Sequence, residues 1–119
     1  MGKHNEFGKL GEQKALDFLV KSGYSIQCTN YRYQKAEVDI IAKKDDILCV
    51  IEVKSRTGSF LEDVSEAINQ KKIKLIVMAA DQYVQENNLD VEVRFDIVLI
   101  LKKGTTFEVE HIENAFYHF

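Results

Sequence analysis

Apolar residues recur along this chain with two different periods, which predict an α/β fold. Between residues 5 and 22 they return at every third or fourth position, as on an amphipathic helix, and Gly23 follows as a stop signal. A second helix is predicted from Asp63 to Gln85. Its apolar stripe consists of Ile73, Ile76, Val77, Ala80 and Val84.

Five other segments have the pattern of β-strands. They alternate between apolar and polar residues or form a continuous apolar run, and they span residues 24–29, 36–42, 47–54, 91–101 and 107–112. The polar residues between the second and third segments predict a hairpin turn of four residues. The fourth segment predicts a strand covered on both faces, and the fifth an edge strand. The predicted order is α-β-β-β-α-β-β, in one domain that spans residues 1–119.

The composition indicates one compact globular domain. Of the 119 residues, 45% are apolar and 29% are charged, and the formal net charge of -3 argues against a general polyanion binder. Cys28 and Cys49 lie in apolar stretches without metal-ligand spacing, which indicates reduced thiols. No apolar run approaches the roughly 18 residues of a membrane span, and the N-terminus lacks the pattern of a signal peptide. We therefore expect a soluble, cytoplasmic protein without membrane contact.

Charged side chains interrupt two neighbouring strands that are otherwise apolar. Glu37 and Asp39 fall on one face of the first strand of the hairpin, and Glu52 and Lys54 fall on one face of the second. If the turn has four residues, Asp39 lies opposite Val50. Glu37 then lies opposite Glu52, and all four charged groups share one side of the hairpin. A register of the other parity would separate the acids.

The acids of this hairpin predict a divalent metal site. Carboxylates held a few ångströms apart on a half-buried face repel each other unless a cation lies between them. Asp39 and Glu52, with water and a backbone carbonyl, make an oxygen-rich set that suits Mg²⁺ or Mn²⁺. Lys54 projects to the same place, to orient or deprotonate a water or to stabilise charge on phosphorus. The alternative is a solvated face with a cross-strand pair of Glu and Lys.

Outside the hairpin, two other acidic residues need an interpretation. Glu12 lies at the margin of the apolar face of the first helix, where it either completes the site or pairs with Lys9 or Lys14 on the surface. Asp96 begins a buried strand and is expected to anchor Arg94 or a loop rather than a metal. The three histidines, His4, His111 and His118, share no spacing typical of a metal-binding or catalytic pair.

The order and spacing of short motifs over nearly the whole chain resemble the YraN-like family of small predicted endonucleases. The motifs are Gly8-Lys9-Leu10-Gly11-Glu12, Gly23-Tyr24, Asn30-Tyr31-Arg32, Glu37-Val38-Asp39-Ile40-Ile41-Ala42, Glu52-Val53-Lys54-Ser55-Arg56, Lys72, Arg94-Phe95-Asp96 and Asn114-Ala115-Phe116. The resemblance implies a restriction-endonuclease-like core, a mixed β-sheet flanked by two helices. Ala36 stands where the family usually has glycine, and Phe60-Leu61 replaces a common Phe-Gly pair, but neither change removes a candidate ligand.

The resemblance also implies roles for individual residues. Asp39, Glu52 and Glu12 would bind Mg²⁺ or Mn²⁺, Lys54 would serve the attacking water, and Glu37 would be an auxiliary acid. The residues expected to contact nucleic acid are Lys71, Lys72, Lys74 and Arg56.

Three functions are compatible with these features. The leading hypothesis is a metal-dependent endonuclease that hydrolyses phosphodiester bonds in DNA. Branched DNA is included because the closest functional relatives of the family are taken to be archaeal Holliday junction resolvases. RNA is an alternative substrate. The second is a nucleic-acid-binding module that retains the site without turnover. The third is a structural or partner-binding protein with an incidental charge cluster. A homodimer is expected by analogy with the two-fold symmetric resolvases, although no sequence feature identifies an interface.

Overall fold

The computed structural model describes residues 3–57 and 69–116. The elements are α1 (Lys3–Lys21), β1 (Ser25–Tyr33), β2 (Ala36–Lys44), β3 (Ile47–Thr57), α2 (Gln70–Glu86), β4 (Glu92–Lys103) and β5 (Thr106–Ile112). The predicted α/β class and the order α-β-β-β-α-β-β are confirmed. The strands are longer than predicted, and β1 continues to Tyr33 and β3 to Thr57. Part of the predicted second helix, residues 63–68, and the pair Phe60-Leu61 lie outside the described residues.

All five strands form one mixed sheet, in the spatial order β1-β2-β3-β4-β5. Neighbouring strands are antiparallel except β3 and β4, which run parallel. A parallel pair needs a crossover connection, and α2 lies within that connection. The two edges are β1 and β5, so the prediction that the last strand is an edge strand is confirmed.

Each helix covers one face of the sheet. On the side that we call the α1 face, Leu19 of α1 belongs to a buried cluster that includes Ile40 of β2. On the opposite side, the α2 face, Ile76 of α2 belongs to a cluster that includes Val38 and Val50. Because the sheet is covered on both sides, its central strands are apolar along most of their length, and charges within them stand out.

The first turn of α2 is fixed by a side-chain cap. Asn69 has an extended backbone, and its side-chain oxygen accepts a hydrogen bond from the N–H of Lys72 at 2.9 Å. This bond satisfies one of the free N–H groups at the helix start, so α2 begins at Gln70. Neither of the helices that the structure describes is long and apolar enough to cross a membrane.

The turn between β2 and β3 is shorter than predicted. Lys44 pairs with Ile47, which leaves only Asp45 and Asp46 in the turn. Asp45 has a φ of 55°, a left-handed conformation that two-residue hairpin turns use and that Asp tolerates. Lys43 and Lys44, which were predicted to lie in the turn, therefore belong to β2.

The shorter turn changes which residues lie opposite each other. Val50 pairs with Ile41 rather than with Asp39, so the predicted register is wrong. The ladder between β2 and β3 ends before it reaches Glu37, and Glu37 therefore does not lie opposite Glu52 either.

The alternation of side chains along β2 breaks at Asp39. Val38 packs on the α2 face and Ile40 packs on the α1 face, although residues two apart in a regular strand point to the same side. The adjacent strand β1 is irregular at the same level, because Asn30 has a φ of 52°. Pairing between β1 and β2 continues on either side of Asn30 and Asp39, but not between these two.

Candidate active site

Asp39 lies where β2 and β3 separate. The ladder between these strands ends at the pair Ile40 and Ile51, and just beyond it the backbone N–H of Val53 donates a hydrogen bond to Oδ2 of Asp39 at 2.8 Å. The carboxylate therefore takes the place of a strand-to-strand bond. It is held in the gap between the strands, accessible to groups on both faces of the sheet.

Glu52 is buried next to Asp39. Its side chain is 4% exposed, it interacts with the carboxyl group of Asp39, and it is ion-paired with Lys72 of α2. Burial, followed by the charge and hydrogen bond of Asp39, raises the pKa of Glu52 to about 7, and Lys72 opposes this rise. Glu52 is therefore the group of this cluster whose protonation changes near neutral pH.

Two lysines complete the cluster on the α2 face. Lys54 is half-buried, and burial together with the charge of Lys72 lowers its pKa, against the attraction of Glu52. For Lys72, burial favours the neutral amine, but the hydrogen bond and charge of Glu52 raise its pKa above the usual value. Two acids and two bases, Asp39, Glu52, Lys54 and Lys72, therefore interact in one small region of the sheet.

The other predicted acids lie on the α1 side of Asp39. A cleft of about 440 Å³ runs between the start of α1 and the sheet, and Glu12, Glu37 and Asp39 line it with Asn30. The prediction that all four hairpin charges share one side is wrong, because the break at Asp39 separates Glu37 from the acid and lysine of β3. Asp39, between the strands, joins the two groups.

Glu12 lines this cleft, and among the described residues it forms no ion pair with Lys9 or Lys14. Its Oε1 accepts a hydrogen bond from the side-chain amide of Asn30 at 3.0 Å. Burial raises the pKa of Glu12, the hydrogen bond from Asn30 opposes the rise, and the negative charges of Asp39 and Glu37 add to it. The neighbours of Glu12 in the cleft thus include Asn30 and the acids Glu37 and Asp39.

Gly11 brings α1 close to the sheet at this point. A Cβ atom at Gly11 would lie 1.9 Å from Oγ of Ser55 and 3.2 Å from its Cβ. Only glycine lets the helix pack so near to β3. The adjacent Glu12 is placed at the cleft by this close approach.

The remaining predicted residues lie around the cluster. Nε of Arg32 donates to Glu37 at 3.2 Å, and this pair is exposed on the outer part of the sheet. On α2, Lys71 and Lys74 are exposed to solvent. Arg56 is half-buried near the end of β3 and donates to the carbonyl oxygen of Ser55 at 3.0 Å. Lys72 is thus a predicted nucleic-acid contact whose side chain enters the cluster, through its ion pair with Glu52.

Residues 11–100 match a family model described as uncharacterised protein family UPF0102. The chain belongs to the UPF0102 family. It is 47% identical to a UPF0102 protein of Flavobacterium psychrophilum over all 119 residues, the full length of both chains. It is 49% identical to a UPF0102 protein of Parabacteroides distasonis over 117 residues, which cover 98% of this chain and 97% of the relative. The resemblance to YraN-like proteins is thereby confirmed.

The donor atoms of this UPF0102 protein suit a hard divalent cation. The carboxylates of Asp39 and Glu52 are neighbours at the point where β2 and β3 separate. Among the described residues, no group of three His, Cys, Asp or Glu side chains is close enough together to hold a metal ion. Mg²⁺ is commonly bound by one or two carboxylates while it keeps several waters and contacts substrate phosphate, so the pair fits this ion.

A second cluster of charged residues, around Asp96, connects β4 to the end of β5. Asp96 is fully buried and accepts hydrogen bonds from Arg94 and from the backbone N–H of Asn114, and it contacts Nε2 of His111 at 2.7 Å. Burial opposes ionisation of Asp96, but these hydrogen bonds lower its pKa below the ordinary value. The prediction that Asp96 anchors Arg94 or a loop is confirmed, since the cluster ties the end of β5 to β4.

Asn30 is a residue of the cleft to which the sequence analysis gave no role. It supplies the left-handed backbone at the irregular point of β1 and the amide that holds Glu12. The available signal is an Asn directly after the predicted strand 24–29, because Asn is depleted in strands and tolerates positive φ.

Proposed function

We propose that this protein is a metal-dependent endonuclease that hydrolyses phosphodiester bonds in DNA, including branched DNA. The observation that carries the proposal is the pair of adjacent carboxylates, Asp39 and Glu52, with Lys54 and Lys72 beside them. Buried acids that repel each other cost stability, and a divalent cation between them removes that cost. The proposed active unit is a homodimer, in which two-fold symmetry presents two sites to two strands.

In this proposal each residue has a defined task. Asp39 and Glu52 hold Mg²⁺ or Mn²⁺, which would lower the pKa of an attacking water and neutralise charge on the phosphate. Lys54 holds that water or the charge that develops on phosphorus. Glu12, which is positioned by Asn30, would contribute a further carboxylate to the metal site from the α1 side of the cleft. Hydrolysis forms a bond from water oxygen to phosphorus and breaks the bond to the 3′ oxygen, which leaves a 5′-phosphate and a 3′-hydroxyl group.

The surface of α2 supports a contact with nucleic acid. Lys71 is exposed next to Lys72, whereas Lys74 lies on the flank of α2 toward β4. Arg56 lies on β3, and the exposed Glu37 is an auxiliary acid. A cation on Glu52 would release Lys72, which then becomes available to a phosphate oxygen. With a net charge of -3, the protein is expected to bind ordinary duplex weakly and with a strong dependence on metal and salt.

A cleavage assay tests the proposal. The protein is incubated with four-way junction, flap, single-stranded and linear duplex DNA, and with matched RNA, in Mg²⁺ or Mn²⁺ and in EDTA. We expect metal-dependent cleavage of at least one DNA substrate, and its loss in Asp39→Asn, which retains the size of the side chain. Glu108→Gln on β5, far from the site, is the matched control. An active Asp39→Asn protein, or a folded wild type that cuts no substrate, contradicts the proposal.

One observation favours a second function, a nucleic-acid-binding module without turnover. Lys72 already supplies Glu52 with a positive charge, so the acid is stabilised without a metal. Thermal unfolding separates the two functions, because binding of Mn²⁺ to the folded protein raises the Tm. DNA binding without any effect of Mn²⁺ on the Tm would favour the module.

A further inference from the structure

We propose that one flank of α2, which we call the α2 stripe, is the contact surface of the homodimer. The stripe borders a groove of about 670 Å³ between α2 and the start of β4, where Val93 and Phe95 form the floor. Its apolar members are only partly buried, and Met78 is 38% exposed. The residues of the stripe that line the groove are Gln70, Ile73, Lys74, Val77, Met78, Asp81 and Val84.

The charges of the stripe make it complementary to a second copy of itself. In two helices that cross antiparallel about a two-fold axis, residue i of one lies across from residue j of the other, and i plus j is constant. If Val77 and Met78 lie at the axis, Lys74 of one protomer faces Asp81 of its partner, and the reverse contact is formed as well. A contact of this self-complementary kind is what a two-fold interface requires.

The two charges do not satisfy each other within one chain. Seven residues separate them, a rise of about 10.5 Å along the helix. Within the described residues Lys74 forms no ion pair with a carboxylate, while Asp81 accepts a hydrogen bond from Gln85 at 2.9 Å. The same symmetry places Gln85 across from Gln70 of the partner, so the polar ends of the stripe also match.

This surface is separate from the candidate active site. Lys72 points from α2 to the buried carboxylate of Glu52, whereas the stripe lies on the flank toward β4. The inference adds the contact surface to the homodimer of the proposed function, and it requires neither a metal nor cleavage. Its failure is therefore distinguishable from the failure of the nuclease proposal.

Sedimentation equilibrium of the full chain, over a range of concentrations, tests the inference. We expect a dimer for the wild type. Lys74→Asp and Asp81→Lys each place two pairs of like charges in the interface, and each should weaken dimerisation at least about tenfold. The combined swap, Lys74→Asp with Asp81→Lys, should restore it. Asp17→Lys on α1 makes the same change of charge away from the stripe and should have no effect.

Three outcomes would overturn the inference. The first is a wild type that stays monomeric, which would leave the groove to a different protein. The second is a dimer that neither single substitution weakens. The third is a loss of dimerisation in the single variants that the combined swap does not restore. Circular dichroism of each variant controls for folding. Because all these substitutions lie at exposed positions of helices, the fold is expected to be retained.

Discussion

Lys72, in the first turn of α2, forms an ion pair with the buried carboxylate of Glu52 on β3. This contact joins the helix to the centre of the sheet at the place where Asp39 lies next to Glu52. The ammonium group occupies the position that neutralises the pair of acids, so Lys72 and a divalent cation would compete for the same carboxylate.

Substitution of Lys72 by Met should therefore increase the affinity for metal. The variant removes the competing charge and leaves both carboxylates in place, and we expect Mn²⁺ to bind at least about tenfold more tightly, a change of about 1.4 kcal/mol. Isothermal titration calorimetry without DNA measures the affinity. Lys71→Met, which removes an exposed neighbouring lysine, is the matched control and should bind Mn²⁺ like the wild type. Unchanged or weaker binding to Lys72→Met would contradict competition.

The stability of the metal-free protein should depend on the protonation of Glu52. Its pKa is raised from 4.5 to about 7 in the fold, so the folded state binds a proton more tightly than the unfolded state. The stabilising effect is fully present below about pH 4.5 and is lost as the pH rises through 7. The difference between these pKa values corresponds to on the order of 3 kcal/mol.

Glu52→Gln removes this titration and identifies its source. Urea unfolding between about pH 4.5 and about pH 8.5, a range that extends past the raised pKa of about 7, should show the wild type losing stability relative to the variant as the pH rises. Glu37→Gln, at an exposed acid, should follow the wild type. If the difference between wild type and Glu52→Gln does not change with pH, the pKa of Glu52 is not raised in the fold.

The sequence pattern predicted the order of the elements, and it singled out three charged residues that the fold brings close together, for a physical reason. Strands covered on both faces tolerate few charges, so Asp39, Glu52 and Lys54 were conspicuous within apolar segments. The register and the sides of the sheet could not be predicted in the same way. They depend on left-handed backbone at Asp45 and Asn30, which a tertiary context selects and a period-two pattern does not contain.

Two substitutions at Asn30 should separate its backbone role from its side-chain role. Glycine accepts the φ of 52° without steric cost, whereas alanine does not. Asn30→Ala should therefore be less stable than Asn30→Gly by about 1 kcal/mol. Chemical denaturation measures this difference, and equal stabilities would contradict a requirement for left-handed backbone.

The side-chain role of Asn30 is visible in the titration of Glu12. The hydrogen bond from Asn30 lowers the pKa of Glu12, and both variants lose it. We expect the pKa of Glu12 to rise equally in Asn30→Gly and Asn30→Ala, as followed by NMR of the side-chain carboxyl carbon. A pKa that rises in only one variant would mean that the backbone, not the amide, sets the environment of Glu12.

Substitutions at two glycines of α1 should have opposite effects, because only one of them contacts the sheet. At Gly8 an added Cβ would meet no atom within 4 Å, so Gly8→Ala should stabilise the protein by about 0.5 to 1 kcal/mol through helix propensity alone. At Gly11 the Cβ would lie 1.9 Å from Oγ of Ser55. Gly11→Ala should therefore destabilise the protein by about 1 to 3 kcal/mol through overpacking.

The close contact itself can be tested by a double-mutant cycle. Ser55→Ala removes the hydroxyl group that an alanine at Gly11 would strike, but it leaves the Cβ of Ser55 at 3.2 Å. We therefore expect Ser55→Ala to suppress most, but not all, of the destabilisation by Gly11→Ala, with a coupling free energy of about 1 kcal/mol. Additive effects in urea unfolding would mean that the contact between α1 and β3 does not limit the residue at Gly11. In that case Glu12 would have to be placed at the cleft by its bond with Asn30 alone.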